Sequence, residues 1–217
     1  MGKPRKSSNK TKQDILTVAE RLFKTHCYDS TTVQMIADEV GISVGTLTYH
    51  YTNKYKIAHE LFSGYISGLY QYVRKNLTEN FNYYLFHCTV GVCFYREILK
   101  NQKAEDLFHH PTLMDMWKRE DLPAVEAMFR EISDDFKKEF SDEDCHMAAA
   151  VFHEALDRFY KEYTKADGVM TIDKYCYHHV CLWGRLAGLD EATIQKNTKR
   201  AFDFADSHDI PPIFSLE

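Results

Sequence analysis

A short run of small, hydroxyl-bearing and aromatic residues, SVGTLTYH at positions 43–50, could form hydrogen bonds to a grooved polar surface. Hydroxyl groups and imidazole nitrogens donate and accept hydrogen bonds at the edges of nucleic acid bases. The small residue Gly45 would permit close approach. The chemistry that this run offers is recognition of duplex DNA, provided that a helix presents it outward.

Two short helices joined by a tight turn are predicted to position this run. Thr31 and Gln34 have the spacing of a capping box at the start of the first helix, and Gly41 can adopt the left-handed conformation that ends it. Ser43 is expected to cap the second helix. The apolar residues of the segment supply a miniature core: Ile36, Ala37, Val40, Ile42 and Leu47. Together these features predict a helix-turn-helix.

Apolar residues that recur every three or four positions predict helices along the rest of the chain. A first helix over residues 11–26 would place Ile15, Ala19, Leu22 and Phe23 on one face, and a long helix from Lys54 to about position 77 would join two domains. Further helices are expected at 81–101, 113–140, 142–165, 171–186 and 191–207. No strand is predicted, so the expected fold class is all-α.

The charge of the chain is unevenly distributed. The net charge is −5, but residues 1–60 hold nine Lys or Arg against six Asp or Glu, and the remainder holds eighteen against twenty-six. The basic side chains near the start are Lys3, Arg5, Lys6, Lys10 and Lys12. A tail of this kind either lies against phosphates or is a solvated segment that favours solubility.

Several classes of protein are disfavoured by composition. No apolar stretch approaches the roughly 20 residues of a membrane span, and no secretory leader is evident, so we expect a cytoplasmic protein with no membrane partner. The six cysteines form no CxxC pair and are expected to be free thiols. No cofactor and no metal ion are expected.

Residues 12–61 resemble the DNA-binding region of the TetR family of helix-turn-helix transcriptional regulators. The resemblance is carried, in order and without gaps, by AERLF from Ala19, TTVQMIA from Thr31, GIS from Gly41, GTL from Gly45 and NK from Asn53. The stretch that resembles the family covers about a quarter of the chain. An ordered set of this kind is more specific than any single short motif.

The resemblance implies which residues meet DNA. The DNA-binding residues it assigns are Thr32, Gln34, Ser43, Val44, Gly45, Thr46, Thr48, Tyr49, His50 and Lys54, the last through a phosphate. Gln34 could instead cap its helix. Thr48 stands where the family commonly has tyrosine, so Tyr49 could take that role, although Tyr49 and His50 could also pack on the first helix. Tyr51 and Thr52 replace a common phenylalanine and a common proline or lysine.

For the remainder, the resemblance implies a larger helical C-terminal domain that binds a small effector and forms a homodimer. The operator would be pseudo-palindromic double-stranded DNA. Residues expected at the dimer interface lie on the last two helices: Tyr175, His179, Trp183, Ile194, Thr198, Ala201, Phe202 and Ala205. Residues expected to line a pocket for an apolar or aromatic ligand are Tyr83, Phe86, Phe94, Trp117, Phe129, Phe152, His153 and Tyr160, although each ring could equally belong to the core.

The expected domains are a basic flexible tail at 1–10, a DNA-binding domain at 11–56, an effector-binding and dimerisation domain at 57–208 and a tail at 209–217. Two alternatives remain open. A helical-bundle enzyme could use His109, His110, His153, Glu154 and Asp157, but no nucleophile motif accompanies them. A metal or thiol sensor could use Cys176, His178, His179 and Cys181, with Cys145, His146 and His153 nearby, but no standard zinc spacing occurs.

Overall fold

The computed structural model describes residues 8–165 and 170–213, and these residues fold into α-helices with no strand. The all-α prediction is confirmed. The elements are α1 (Ser8–Ser30), α2 (Val33–Val40), α3 (Val44–His50), α4 (Lys54–Asn76), α5 (Tyr83–Lys100), α6 (Gln102–Phe108), α7 (Pro111–Glu120), α8 (Leu122–Asp135), α9 (Asp142–Lys165), α10 (Ile172–Leu186) and α11 (Glu191–Ser207).

The first three helices form a small head around one apolar core. The apolar face predicted for α1 is buried, and Ile36, Ala37 and Leu47 are buried against it. Val40 and Ile42 are only partly buried, so they cover the edge of this core rather than its centre. The helical backbone of α1 breaks at Cys27, which has φ 58° and ψ 169°. The break turns the chain toward α2.

Helix α4 connects the head to the larger domain without interruption. Asn53 caps it by accepting a hydrogen bond from the Lys56 amide at 3.0 Å. Helix α4 contacts α1 of the head and α5 and α7 of the larger domain. The domain boundary expected between residues 56 and 57 therefore falls inside a continuous helix, which can transmit movement between the two domains.

Helix α5 is the centre of the C-terminal domain. It packs against α4, α6, α8, α10 and α11, and nearly all of its side chains are buried. On α10, a Cβ atom at Gly184 would lie 2.7 Å from both the Tyr84 hydroxyl oxygen and a side-chain carbon of Ile194. This position therefore needs a residue without a side chain so that α10 can approach α5 and α11.

The helix prediction was wrong in one region. The helix expected at 113–140 is divided into α7 and α8 at Asp121, where Pro123 stands in the first turn of α8. Pro is favoured at the beginning of a helix because its missing N–H would have no partner there. Helix α6 was not predicted. Asn101 begins it by accepting hydrogen bonds from the amides of Lys103 and Ala104.

Part of each expected tail has a defined structure. Residues Ser8 to Lys10 already belong to α1, while Lys3, Arg5 and Lys6 lie outside the described residues. At the other end, Pro211 accepts a hydrogen bond from the Tyr65 hydroxyl at 2.8 Å, and Ile213 is buried. The chain after α11 is therefore attached to α4 at Pro211. Within the described ranges, no helix is both long enough and apolar enough to cross a membrane.

Candidate nucleic-acid interface

The turn between α2 and α3 is fixed by local hydrogen bonds. Gly41 has φ 75° and ends α2 in the left-handed conformation. The Ile42 amide then donates to the Ala37 carbonyl at 3.0 Å, which satisfies a carbonyl at the end of α2. A side chain at position 41 would be strained, because only glycine adopts this conformation freely. The backbone thereby sets the angle between the two helices.

Helix α3 has one buried side and one exposed side. Ser43 caps it by accepting from the Thr46 amide at 3.1 Å, and Leu47 is fully buried beneath it. The opposite face carries the exposed residues Gly45, Thr46, Thr48 and Tyr49. Tyr49 is 83% exposed, the highest value among the exposed large apolar residues of the described chain. Packing of Tyr49 on α1 is therefore ruled out.

The hydroxyl groups on the exposed face of α3 can still accept hydrogen bonds from a bound partner. Thr48 Oγ1 donates to the Val44 carbonyl at 3.0 Å, so its free lone pairs can accept from a base amino group. The Tyr49 and His50 rings lie edge to face, with centroids 5.3 Å apart. Val44 and His50 are half-buried, so they flank the exposed centre of α3.

The start of α2 differs from the predicted capping box. Thr32, not Thr31, is the N-cap, and its hydroxyl accepts from the Met35 amide at 3.1 Å. Thr31 is buried and donates to the Cys27 carbonyl at 2.7 Å. Gln34 does not cap the helix either, because its amide donates to Asp38 at 2.6 Å. Thr32 and Gln34 are both exposed near the helix-turn-helix.

Lys54 was expected to contact a DNA phosphate, but its ammonium group is occupied by contacts within the protein. Its ammonium group donates to the carbonyls of Tyr28 at 2.6 Å and Thr31 at 2.9 Å, and it lies 4.0 Å from the centre of the Tyr28 ring. Burial lowers the pKa of Lys54. We therefore assign to Lys54 a structural role, which is to hold the α1–α2 connection against the start of α4.

An ion pair also joins α1 of the head to α4. Lys12 on α1 donates to Glu60 on α4 at 2.8 Å, and the same ammonium group lies 5.2 Å from the centre of the Tyr51 ring. Tyr51, which replaces a phenylalanine of the family pattern, is buried after α3. The ring thus retains the packing role of phenylalanine. The head is a stable platform for α3.

Most of the residues expected at the dimer interface are inside one protomer. Six of the eight, Tyr175, His179, Trp183, Ile194, Thr198 and Ala201, are buried within the single chain, while Phe202 and Ala205 are half-buried. A side chain that is already enclosed cannot lose further surface to a second subunit. These six residues therefore have little surface left for a second subunit. Periodicity identifies an apolar face but not what covers it.

The residues expected to line a ligand pocket belong to two separate groups. Tyr83 and Phe86 contact Phe81 at the start of α5. Phe94 and Trp117 instead contact Phe108, and Phe152 contacts the ring of His179. Phe129 and His153 are also buried. Tyr160 stacks on His109, whose ring is 3.4 Å away, so His109 and His179 join the second group although neither was assigned to it.

Two of the residues considered for a catalytic centre form hydrogen bonds with residues outside that set. Asp157 accepts from Lys118 at 2.7 Å, and His110 pairs with Asp29 at 3.1 Å, so they do not form one catalytic centre with His109. In the part of the chain that the structure describes, no three His, Cys, Asp or Glu residues could hold a metal ion. Cys176 is buried, which raises the pKa of its thiol to about 12 and makes it unreactive.

Comparison with known proteins agrees with this geometry. Residues 15–61 match the family model described as bacterial regulatory proteins, tetR family. No curated protein sequence matches the chain significantly. Among solved structures, RolR in complex with resorcinol is 13% identical with a TM-score of 0.65, covering 94% of this chain and 97% of RolR.

A second similar structure is SmeT, the repressor of the Stenotrophomonas maltophilia multidrug efflux pump SmeDEF. It is 16% identical with a TM-score of 0.52, covering 80% of this chain and 88% of SmeT. The helix-turn-helix head and the larger helical domain define the class of DNA-binding transcriptional regulators. Residues 15–61 match the N-terminal domain of the TetR family of bacterial regulatory proteins, and the rest of the chain lies outside that match.

Proposed function

We propose that the chain is an effector-responsive repressor that binds a two-fold symmetric operator as a homodimer. The observation that carries this proposal is the exposed face of α3 above the buried Leu47. Placed in the major groove, this face would present Gly45, Thr46, Thr48 and Tyr49 to base edges. Thr32, Gln34, Ser43, Val44 and His50 would contact the surrounding backbone or flanking bases.

The dimer interface that we propose is formed by α9 and α10. Met147 and Val151 lie one turn apart on α9 and are 55% and 47% exposed, unusual values for large apolar side chains. Further along α9, Phe159 stacks with His178 of α10 at 6.4 Å, so the two helices share an outer face. Leu182 continues that face by one turn of α10.

The outer face of α11 is a poor alternative for this interface. Its exposed residues include Lys196, Lys199 and Asp203, and the last two pair with each other at 2.6 Å. Interface centres are depleted in such charges. Two-fold pairing through α9 and α10 would present two α3 helices to successive major-groove faces about 34 Å apart, or a multiple of that distance.

Contacts between the domains offer a route for the effector response. Lys56 and His59, both near the start of α4, pair with Glu120 and Asp121 at the end of α7. A rearrangement of α7 would therefore move α4 and change the separation of the two α3 helices. RolR, which shares this fold, binds resorcinol. We propose that this chain responds to a small molecule bound among the helices of its own C-terminal domain.

A binding titration tests the proposed function. Full-length protein would be titrated into fluorescent duplexes covering the DNA on either side of its own gene, with a duplex of scrambled sequence as the control. We expect preferred binding to one duplex, with affinity that falls steeply as salt rises because phosphates release counterions. Equal affinity for all duplexes would contradict sequence-specific regulation of neighbouring genes.

A further inference from the structure

Six buried polar atoms of the C-terminal domain have no hydrogen-bond partner among the described residues, and three of them lie on neighbouring aromatic side chains. These three are the Tyr175 hydroxyl, Nε2 of His179 and Nε2 of His109, which we call the polar triad. Tyr175 and His179 are fully buried. Because most buried polar groups in proteins are hydrogen-bonded, three unpartnered atoms in one region indicate a group that binds there.

The first part of the triad is a close pair on α10. The rings of Tyr175 and His179 are one helical turn apart, with centroids separated by 4.2 Å. The His179 ring also contacts Tyr95 of α5 at 4.6 Å and Phe159 of α9 at 4.7 Å. Aromatic rings from two other helices therefore contact this pair.

His109 extends the same region from the end of α6. Its ring stacks on Tyr160 with an interplanar angle of 5° and contacts Phe108 at 4.9 Å. Tyr163 links the two parts, because it contacts Tyr160 at 6.3 Å and Tyr175 at 5.3 Å. The polar triad thus lies in one aromatic environment rather than at three unrelated positions.

The hydrogen-bonding roles of the α10 pair follow from geometry. Nδ1 of His179 lies 3.1 Å from the Tyr175 carbonyl oxygen, which can only accept, so Nδ1 carries the proton. In a neutral imidazole, Nε2 is then an acceptor. The Tyr175 hydroxyl can donate. A bound hydroxyl group can satisfy both residues, because it donates one hydrogen bond and accepts another.

The environment favours a ligand without charge. Burial lowers the pKa of His109 and of His179 to about 3, so both rings are neutral at ordinary pH and cannot balance an anion. Glu105, close to the same rings, accepts a hydrogen bond from Tyr160 at 3.0 Å. Flat walls made of aromatic rings favour a flat aromatic ligand.

We propose that His109, Tyr175 and His179 bind the hydroxyl groups of a small uncharged phenol or benzenediol, and this inference rests on the proposed effector response. The proposed phenol site lies next to a contact between the two domains. His110 follows His109 in the chain, and its Nε2 lies 3.1 Å from Asp29 at the end of α1. A ligand that displaces His109 would also disturb the attachment of the head.

The first test measures binding directly, without DNA. Full-length protein would be titrated with phenol and benzene-1,3-diol by calorimetry and by tryptophan fluorescence. Both tryptophans report on this region, because Trp117 contacts Phe108 at 4.8 Å and Trp183 contacts Phe152 at 5.5 Å. The control ligands are 1,3-dimethoxybenzene, which cannot donate a hydrogen bond, and benzoate, which is charged. We expect the phenols to bind at least about tenfold more tightly than either control, the effect of losing one hydrogen bond.

A matched pair of variants tests the assigned residues. Tyr175→Phe removes only the unpartnered hydroxyl and should weaken binding of the phenols about tenfold. Tyr70→Phe removes a buried hydroxyl that already has a partner, Nδ1 of His87 at 3.1 Å, and should leave that affinity unchanged. The ligand series on the wild-type protein keeps the test valid if a variant fails to fold.

The outcomes separate this inference from the proposed function. Binding of phenols that depends on Tyr175 supports the inference, even if DNA affinity does not change on adding the ligand. In that case only the effector response would be rejected. The inference is overturned if no phenol binds at millimolar concentration, which would indicate that ordered water satisfies the triad, or if the dimethoxy control binds equally well.

Discussion

At the scale of single residues, exposure and burial divide the helix-turn-helix into groups with different roles. Thr48 and Tyr49 are exposed on α3, whereas Leu47 is buried and Lys54 is hydrogen-bonded to the backbone. Substitutions at the first two positions should therefore change DNA affinity, and substitutions at the second two should change stability.

Tyr49→Ala should reduce operator affinity by about 1–3 kcal/mol, the usual value of a good base contact. Its melting temperature should stay close to that of the wild type, because the side chain is 83% exposed. Fluorescence anisotropy and thermal unfolding would measure the two quantities. Thr164→Ala, an exposed change on α9, serves as the control for DNA affinity, and unaltered affinity in Tyr49→Ala would argue against a role for this ring.

Lys54→Met should lower the free energy of unfolding by about 1.5–3 kcal/mol, because two hydrogen bonds from a charged group to backbone carbonyls are lost. Denaturant unfolding would measure this change. If Lys54 instead contacted a phosphate, the variant would keep its stability and the slope of log affinity against log salt would fall by about 1. Lys196→Met on the exposed face of α11 is the control.

At the scale of helices, the C-terminal domain depends on close packing of α10 against α5. Gly184→Ala should destabilise the protein by about 1–3 kcal/mol, because the added methyl group would overlap Tyr84 and Ile194. Gly68→Ala on α4 is the matched control, since nothing lies within 4 Å of its Cβ position. This control should be neutral or stabilising by up to about 1 kcal/mol. Equal effects in the two variants would contradict the described packing.

The contact between α4 and α7 should depend on pH. The hydrogen bond from His59 to Asp121 raises the pKa of His59 above its ordinary value of 6.5. The pair therefore contributes its full stability below pH 6.5 and loses it as pH rises through the higher pKa of the folded protein. Glu120 and Lys56 also face His59, with opposite effects on that pKa.

His59→Gln tests this dependence because glutamine can form a hydrogen bond but does not titrate. The difference in unfolding free energy between wild type and variant should be larger at pH 6 than at pH 8.5. Urea titrations at the two values would measure it. A difference that is the same at both values, or larger at pH 8.5, would show that the pair does not stabilise the protein in the expected way.

At the scale of the whole molecule, pairing of two subunits should require the α9–α10 face. Met147→Glu places a charge at the centre of the proposed interface and should shift the protein from dimer to monomer in sedimentation equilibrium. Lys196→Glu, a charge change on the exposed face of α11, should leave the dimer intact. If Lys196→Glu alone dissociated the protein, the interface would lie on α11 instead.

The sequence was most informative where function depends on local structure. Gly41, Ser43 and Leu47 act within a few residues of one another, so their spacing predicted the turn, the cap and the buried anchor of α3. Packing between distant helices was less predictable. Tyr175 and His179 form an aromatic stripe that a second subunit or the same subunit could cover, and only the fold shows that α5 and α9 cover it.

The most direct test of the central claim is enrichment of binding sites from random duplex DNA, carried out in parallel with the wild type, Thr48→Ala and Tyr49→Ala. For the wild type, we predict a two-fold symmetric site with half-site centres about 34 Å apart or a multiple of that distance. The variants should keep this spacing and lose preference at particular bases within each half-site. An identical enriched sequence for all three proteins, or no enrichment by the wild type, would contradict the claim that the exposed face of α3 reads DNA.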